Sequence, residues 1–247
     1  MINNKKILSQ YNTIYQISTF GALVEGCLDG FISLKELRKL GNFGIGGITG
    51  LDGEITCLDG EFYHLLENGS INFADKKAMS PRMTMSFFKA SRSININQPF
   101  FYNDLQKIIE SSIPSKNIMY AIKIIGDFTF VKTKCYPKQN KPYPRGGVKI
   151  ASSKKIFEMS NIRGTMIGYF MPEHLKELGY FKYHFHFLSA DKKYGGHIID
   201  FKIIQGNIEI DDKHNLFVSL PKSIDYYKAD FTNTMEAFEK AMIVLQQ

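Results

Sequence analysis

Residues 180–210 run YFKYHFHFLSADKKYGGHIIDFKIIQGNIEI, apolar, β-branched and aromatic runs separated by short polar or glycine-containing turns, and NLFVSLP (215–221) follows close behind. Strand-forming residues at this density predict consecutive strands with little helix between them. In the first run His184 and His186 stand at i and i+2, which a strand places on one face about 7 Å apart. After the turn-like SADKKYGG, His197 opens HIIDF, and an antiparallel return carries it back beside the first pair. Three neutral imidazoles converging from a hairpin make an open-faced metal site. Zn²⁺ is the leading metal because its catalytic sites commonly use three protein ligands plus an exchangeable position. Gly195 and Gly196 allow close backbone approach, or positive φ, just ahead of the third histidine. The bland alternative is a set of hydrogen-bonded structural histidines, and the third, returning residue is what weighs against it. His64, His174 and His214 have no such company and read as structural or solvated.

Outward from this hairpin, the same strand-rich grammar continues. TIYQIST (13–19) reads as a strand, and SLKELRKLG (33–41) as a short helix with Ser33 as N-cap, Glu36 three residues on and Gly41 as its stop. Residues 43–73 alternate short apolar runs with Asp-Gly and Asn-Gly pairs, the pattern of a hairpin meander. MTMSFFKA (83–90) reads as a strand, and FYNDLQKIIESSI (101–113) as a helix with Asn103 or Asp104 at its start. NIMYAIKIIGDFTFVKTKCYPK (117–138) reads as two strands about Gly126-Asp127, RGTMIGYFMP (163–172) as another, PEHLKELG (172–179) as a short helix, and MEAFEKAMIVL (235–245) as a closing amphipathic helix. Strands grouped with strands predict an α+β fold with mainly antiparallel or mixed sheets, a few short helices and the metal site on a β-hairpin. With no linker and no repeat, the chain reads as a single domain over 1–247, divisible at most into two sublayers near 1–115 and 116–247.

The 247 residues include 44% hydrophobic and 22% charged side chains, which excludes a disordered tail and a disulfide-stapled miniprotein. Cys27, Cys57 and Cys135 are odd in number and lack CxxC spacing, so buried thiols in a reducing cytoplasm are expected. The N-terminus lacks the apolar core of a secretory signal, and no apolar run approaches the ~18 residues of a membrane span. The net charge of +7 raises the question of a nucleic-acid partner. The lysines are dispersed and no recognition motif accompanies them, so a small anionic substrate is the better expectation, with neither nucleic acid nor membrane as partner.

With these residues in view, the chain resembles the bacterial α-acetolactate decarboxylases over nearly its whole length. The carrying segments are YQISTFGALVEGCLDG (15–30), LGNFGIGGITGLDGEITCLDGEFYHL (40–65), VKTKCYPKQNKPYP (131–144), RGTMIGYF (163–170) and GYFKYHFHF with GGHIIDF (179–201). The resemblance implies a zinc lyase that converts (S)-2-acetolactate to (R)-acetoin and CO₂, usually as a homodimer. It implies His184, His186 and His197 as zinc ligands and Glu54 as a further metal contact or the proton donor; Glu61, in the second DGE element, is the wrong choice if the register slips by seven. At the position where these enzymes usually carry an arginine for the substrate's carboxylate or the developing anion, this chain has Lys134, which keeps the charge and loses the planar fork. Nearby Arg145, in KPYPRGG, is the candidate to supply the missing guanidinium.

Two further departures stand out. Family members commonly place a threonine at the position of Gly47, and here Thr49 is the neighbouring hydroxyl. The family often ends in an acidic tail whose glutamate reaches the metal pocket, whereas this chain ends Val244-Leu245-Gln246-Gln247; Glu236 and Glu239 fit solvated helix positions better. Among other metal enzymes, a cupin-like oxygenase also begins its site with HxH, but it adds a Glu four or five residues on, where this chain has Ala190 and Asp191. A basic nucleic-acid-binding module is the remaining alternative.

Overall fold

The computed structural model describes residues 10–176, 178, 182–234, 236, 237, 239 and 240. Residues 13–86 supply β1 (Thr13–Ile17), β2 (Ile32–Ser33), β3 (Phe43–Gly47), β4 (Glu54–Leu58), β5 (Glu61–Leu65), β6 (Ile71–Phe73), β7 (Met79–Ser80) and β8 (Arg82–Ser86). β3, β4, β5 and β6 form the expected antiparallel meander, and β8 lies between β3 and β1. Asp59 and Gly60 both take positive φ, the conformation a two-residue turn between β4 and β5 requires. The helix Leu34–Leu37 carries the expected reciprocal cap: Ser33 Oγ accepts from the Glu36 N–H at 3.3 Å, and the Glu36 carboxylate accepts from the Ser33 N–H at 3.0 Å.

The second sheet contains β9 (Arg92–Ile96), β10 (Phe100–Phe101), β11 (Met119–Cys135), β12 (Lys155–Met171), β13 (Lys182–Ser189) and β14 (Gly195–Lys213), while β15 (Asn215–Ser219) returns to the first. Two sequence expectations are corrected here. Gly126-Asp127 is not a hairpin, and GGHIIDFKII and NIEI are not separate strands: β11 spans 17 residues and β14 spans 19 without a turn. Gly126 is instead paired with Gly164 on one side and Gly206 on the other, and a bulge follows between Asp127 and Phe128. A Cβ on Gly126 would lie 2.5 Å from the Gln205 carbonyl oxygen, so the glycine marks a close crossing of backbones within a sheet. β12 pairs with β11 and β13, and β13 pairs in turn with β14, which pairs with β11. The four strands thereby close into a ring at the end that carries the histidines.

One face of the first sheet, with Ile14, Phe43, Ile45 and Leu65, packs on Ala121, Ile167, Tyr169 and Leu188 of the second. The opposite face of the second sheet buries Phe128, Phe185, Phe187 and Phe201 with Leu105 and Ile109 of the helix Tyr102–Glu110. That helix begins after Phe101, whose N–H donates to the Asp104 carboxylate at 3.2 Å. The expected division near residue 115 does not fall between the sheets: β9 and β10 precede it and join the second, and β15 pairs in parallel with β1 of the first. Pro172 leads into a 3₁₀ turn, Glu173–Leu175, where a longer helix is expected; Glu177 and Gly179 lie outside the described residues. So does most of the expected closing helix, Met235, Phe238 and 241–245, together with the last two residues.

Candidate metal centre

Along β13 the side chains alternate between two environments. Phe185 and Phe187 enter the aromatic core, so His184, His186 and Leu188 face the first sheet. In the β13–β14 pairing His186 stands opposite His197, and Leu188 opposite Gly195. Gly195 has its place through close approach, since a Cβ there would lie 2.3 Å from the Phe187 carbonyl oxygen. The three imidazoles meet: His184 Nε2 is 3.1 Å from His197 Nδ1, and one nitrogen of each of the three lies within 4.8 Å of the others. Burial pushes all three well toward the neutral form, His186 down to about 3, so each nitrogen that carries no proton offers a lone pair.

The first sheet completes the site from above. Thr56 on β4 sets its hydroxyl 3.0 Å from His186 Nδ1, and Glu54, two residues earlier on the same face, brings a carboxylate oxygen 3.8 Å from His186 Nε2. His186 Nε2 is fully buried and makes no hydrogen bond among the described residues. With one ring nitrogen held and the other bare toward two further imidazoles, the donor set fits a metal ion, and three nitrogens suit zinc. Glu54 is 9% exposed, and burial pushes its carboxyl up to about 8 against the opposing pull of Lys134 and Arg82. Lys134 on β11 is paired with His197 on β14, and burial brings its ammonium down to about 8. A cavity open to solvent is lined by Gly47, Leu51, Glu54, Arg82, Tyr136 and His184, among others.

The structure therefore brings together His184, His186, His197, Glu54 and Lys134. It leaves elsewhere several residues weighed from sequence. Glu61 is exposed at the start of β5, Arg145 is exposed, and Glu236 and Glu239 are exposed. Thr49 braces a loop, accepting from the Gly30 N–H and donating to the Met79 carbonyl. His64 bonds the Asp52 carbonyl, and His174 and His214 are exposed. Sequence reasoning missed Thr56 and Arg82. The period of two from Glu54 is a signal that could have found Thr56. Arg82 had only the oddity of a charge opening an apolar strand, RMTMS.

The sequence profile of the family described as alpha-acetolactate decarboxylase matches residues 14–233. The chain belongs to this family. The alpha-acetolactate decarboxylase of Methanosarcina mazei is 33% identical over 230 residues, covering 93% of this chain and 80% of that protein. That of Bacillus subtilis is 35% identical, covering 89% and 86%. A crystal structure of the Bacillus subtilis alpha-acetolactate decarboxylase superposes with a TM-score of 0.90 at 34% identity, over 95% of this chain and 99% of that one. As a member of the acetolactate decarboxylase family the chain is a carboxy-lyase whose reaction is loss of CO₂ from acetolactate, and the α+β fold with mainly antiparallel and mixed sheets is the family's.

Proposed function

We propose that this chain converts (S)-2-acetolactate to (R)-acetoin and CO₂ with Zn²⁺ held by His184, His186 and His197. The observation that carries the reading is the convergence of three imidazoles within 4.8 Å of one another, one of which, His184, forms part of the wall of the open cavity. In the reaction the bond between the carboxylate carbon and the carbinol carbon breaks. Its electron pair moves toward the neighbouring ketone oxygen, giving an enediolate that is then protonated on the carbon that lost CO₂. A zinc ion bound there supplies Lewis acidity for that ketone oxygen. Glu54 holds a proton at the cavity wall, within reach of the histidine cluster, and donates it to one face of the enediolate, which is what a single enantiomer requires. Lys134, on β11 beside Glu54 and His197, is a positioning residue in this reading: its ammonium offsets the cost of the Glu54 carboxylate once the proton has left.

The chain acts, in the same reading, as one domain, because β15 leaves the second sheet's segment to pair with β1. It works in the cytoplasm as a homodimer on a small-molecule substrate. The test is elemental analysis alongside a colorimetric acetoin assay on racemic acetolactate. About one Zn²⁺ per chain and acetoin formation are expected, with both lost in the His184→Ala/His186→Ala double variant. A folded double variant that still forms acetoin overturns the assignment.

A further inference from the structure

Two buried cations stand beside the histidines, and they differ in what they face. Arg82, 3% exposed, forms part of the cavity wall with Glu54 and His184, whereas Lys134, 5% exposed, is not among the lining residues. The placement of Arg82 follows from sheet register. Gly47 of β3 is paired with Glu54 of β4 on one side and with Arg82 of β8 on the other. Directly paired residues project from the same face, so the carboxyl and the guanidinium flank a position without a side chain. Neighbouring strands lie about 4.8 Å apart, so the two side chains leave the sheet about 10 Å apart. Among the described residues a Cβ on Gly47 would meet Leu51 Cδ2 alone, at 3.0 Å, so none of their backbone fills the space over it. A slot of this width, with a carboxyl on one bank and a guanidinium on the other and His184 in the wall, suits a small hydroxy-keto acid.

We propose that Arg82, projecting from β8 into the cavity wall beside Glu54 and His184, is the anchor for the substrate's carboxylate. The inference rests on the acetolactate reading and deepens it by assigning the carboxylate subsite. A guanidinium keeps its charge in a buried site where an ammonium loses it readily, and its planar fork matches a carboxylate with two parallel hydrogen bonds. Its charge reaches Glu54, His184 and His186, so a carboxylate held there lies next to the histidine cluster. Negative charge leaves the carboxylate as CO₂ departs, so Arg82 favours the bound acid more than the transition state. Its loss is expected to raise KM far more than it lowers kcat.

The test compares zinc-loaded wild type, Arg82→Met and Arg82→Lys in calorimetric binding of 2-hydroxy-2-methylpropanoate and of its neutral amide. Arg82→Met is expected to weaken the acid by at least about tenfold more than the amide, with zinc content unchanged and Arg82→Lys recovering part of the difference. Equal weakening of acid and amide, or none, overturns the proposal. If Arg82→Met does not fold, Arg82→Gln, which keeps polar atoms and removes the charge, reads the same difference. A wild type that shows the Arg82-dependent acid preference yet releases no CO₂ from acetolactate defeats the decarboxylase reading and leaves the anion subsite standing.

Discussion

Thr56 shows how one hydroxyl can set the behaviour of an imidazole. By engaging His186 Nδ1 at 3.0 Å it fixes which ring nitrogen faces the cluster, and it arrives from a strand 130 residues away in sequence. Outer partners of this kind orient a ligand without touching the metal, and their removal typically costs 10–100-fold in metal affinity. Thr56→Val keeps the branched shape and deletes the bond. It is expected to weaken zinc about 10–100-fold in competition with a chelator while leaving the fold intact. The three histidines themselves are legible in the sequence because their grouping is local: HxH on a strand and a third residue on its hairpin partner. Arg82 and Thr56 are not, because they reach the site through packing of one sheet on the other.

At the scale of elements, β12 and β13 lie close because β12 carries glycine where β13 crosses. A Cβ on Gly168 would fall 2.1 Å from the His184 carbonyl oxygen and 2.4 Å from the Phe185 ring. Gly168→Ala is therefore expected to push β13 outward, costing about 1–3 kcal/mol by overpacking. Thermal unfolding should fall by several degrees, about 2–4 °C for each kcal/mol in a chain of this size. The substitution should also lower zinc occupancy, since His184 moves with its strand. Gly126 has the same meaning in β11, and it is why Gly126-Asp127 imitates a hairpin. A Gly-Asp pair between apolar runs is ambiguous by itself; only the presence of Gly164 and Gly206 on either side shows it to be a crossing within a continuous strand. The N-cap of the short helix and the meander, by contrast, are written in adjacent residues and form as read, although the helix ends at Leu37 and not at Gly41.

At the scale of the molecule, the two sheets are held at one end by a buried cation. Lys213, at the close of β14, donates to the carbonyls of Tyr11 and Phe87, which flank the first sheet's β1 and β8, and to the Asp211 carboxylate at 2.6 Å. Asp211 also accepts from the Lys89 N–H at 2.7 Å. Burial draws the two groups toward their neutral forms, Asp211 up and Lys213 down, and the mutual hydrogen bond opposes this in both. Removing one partner strands the other in the interior, so Lys213→Met is expected to cost about 3–5 kcal/mol in urea unfolding. Adding Asp211→Leu should recover part of that loss, the non-additivity reporting their coupling.

The strand-rich α+β class, the meander, the cap of the first helix and the HxH–H histidine cluster are legible in the chain alone, because each depends on residues a few positions apart or on one hairpin. That β11 and β14 run unbroken and that β15 returns to the first sheet emerges from the packed fold. It alone set Glu54, Thr56 and Arg82 over the histidines. Those outcomes depend on which strands become neighbours, and burial of whole apolar faces settles that choice where local pattern does not.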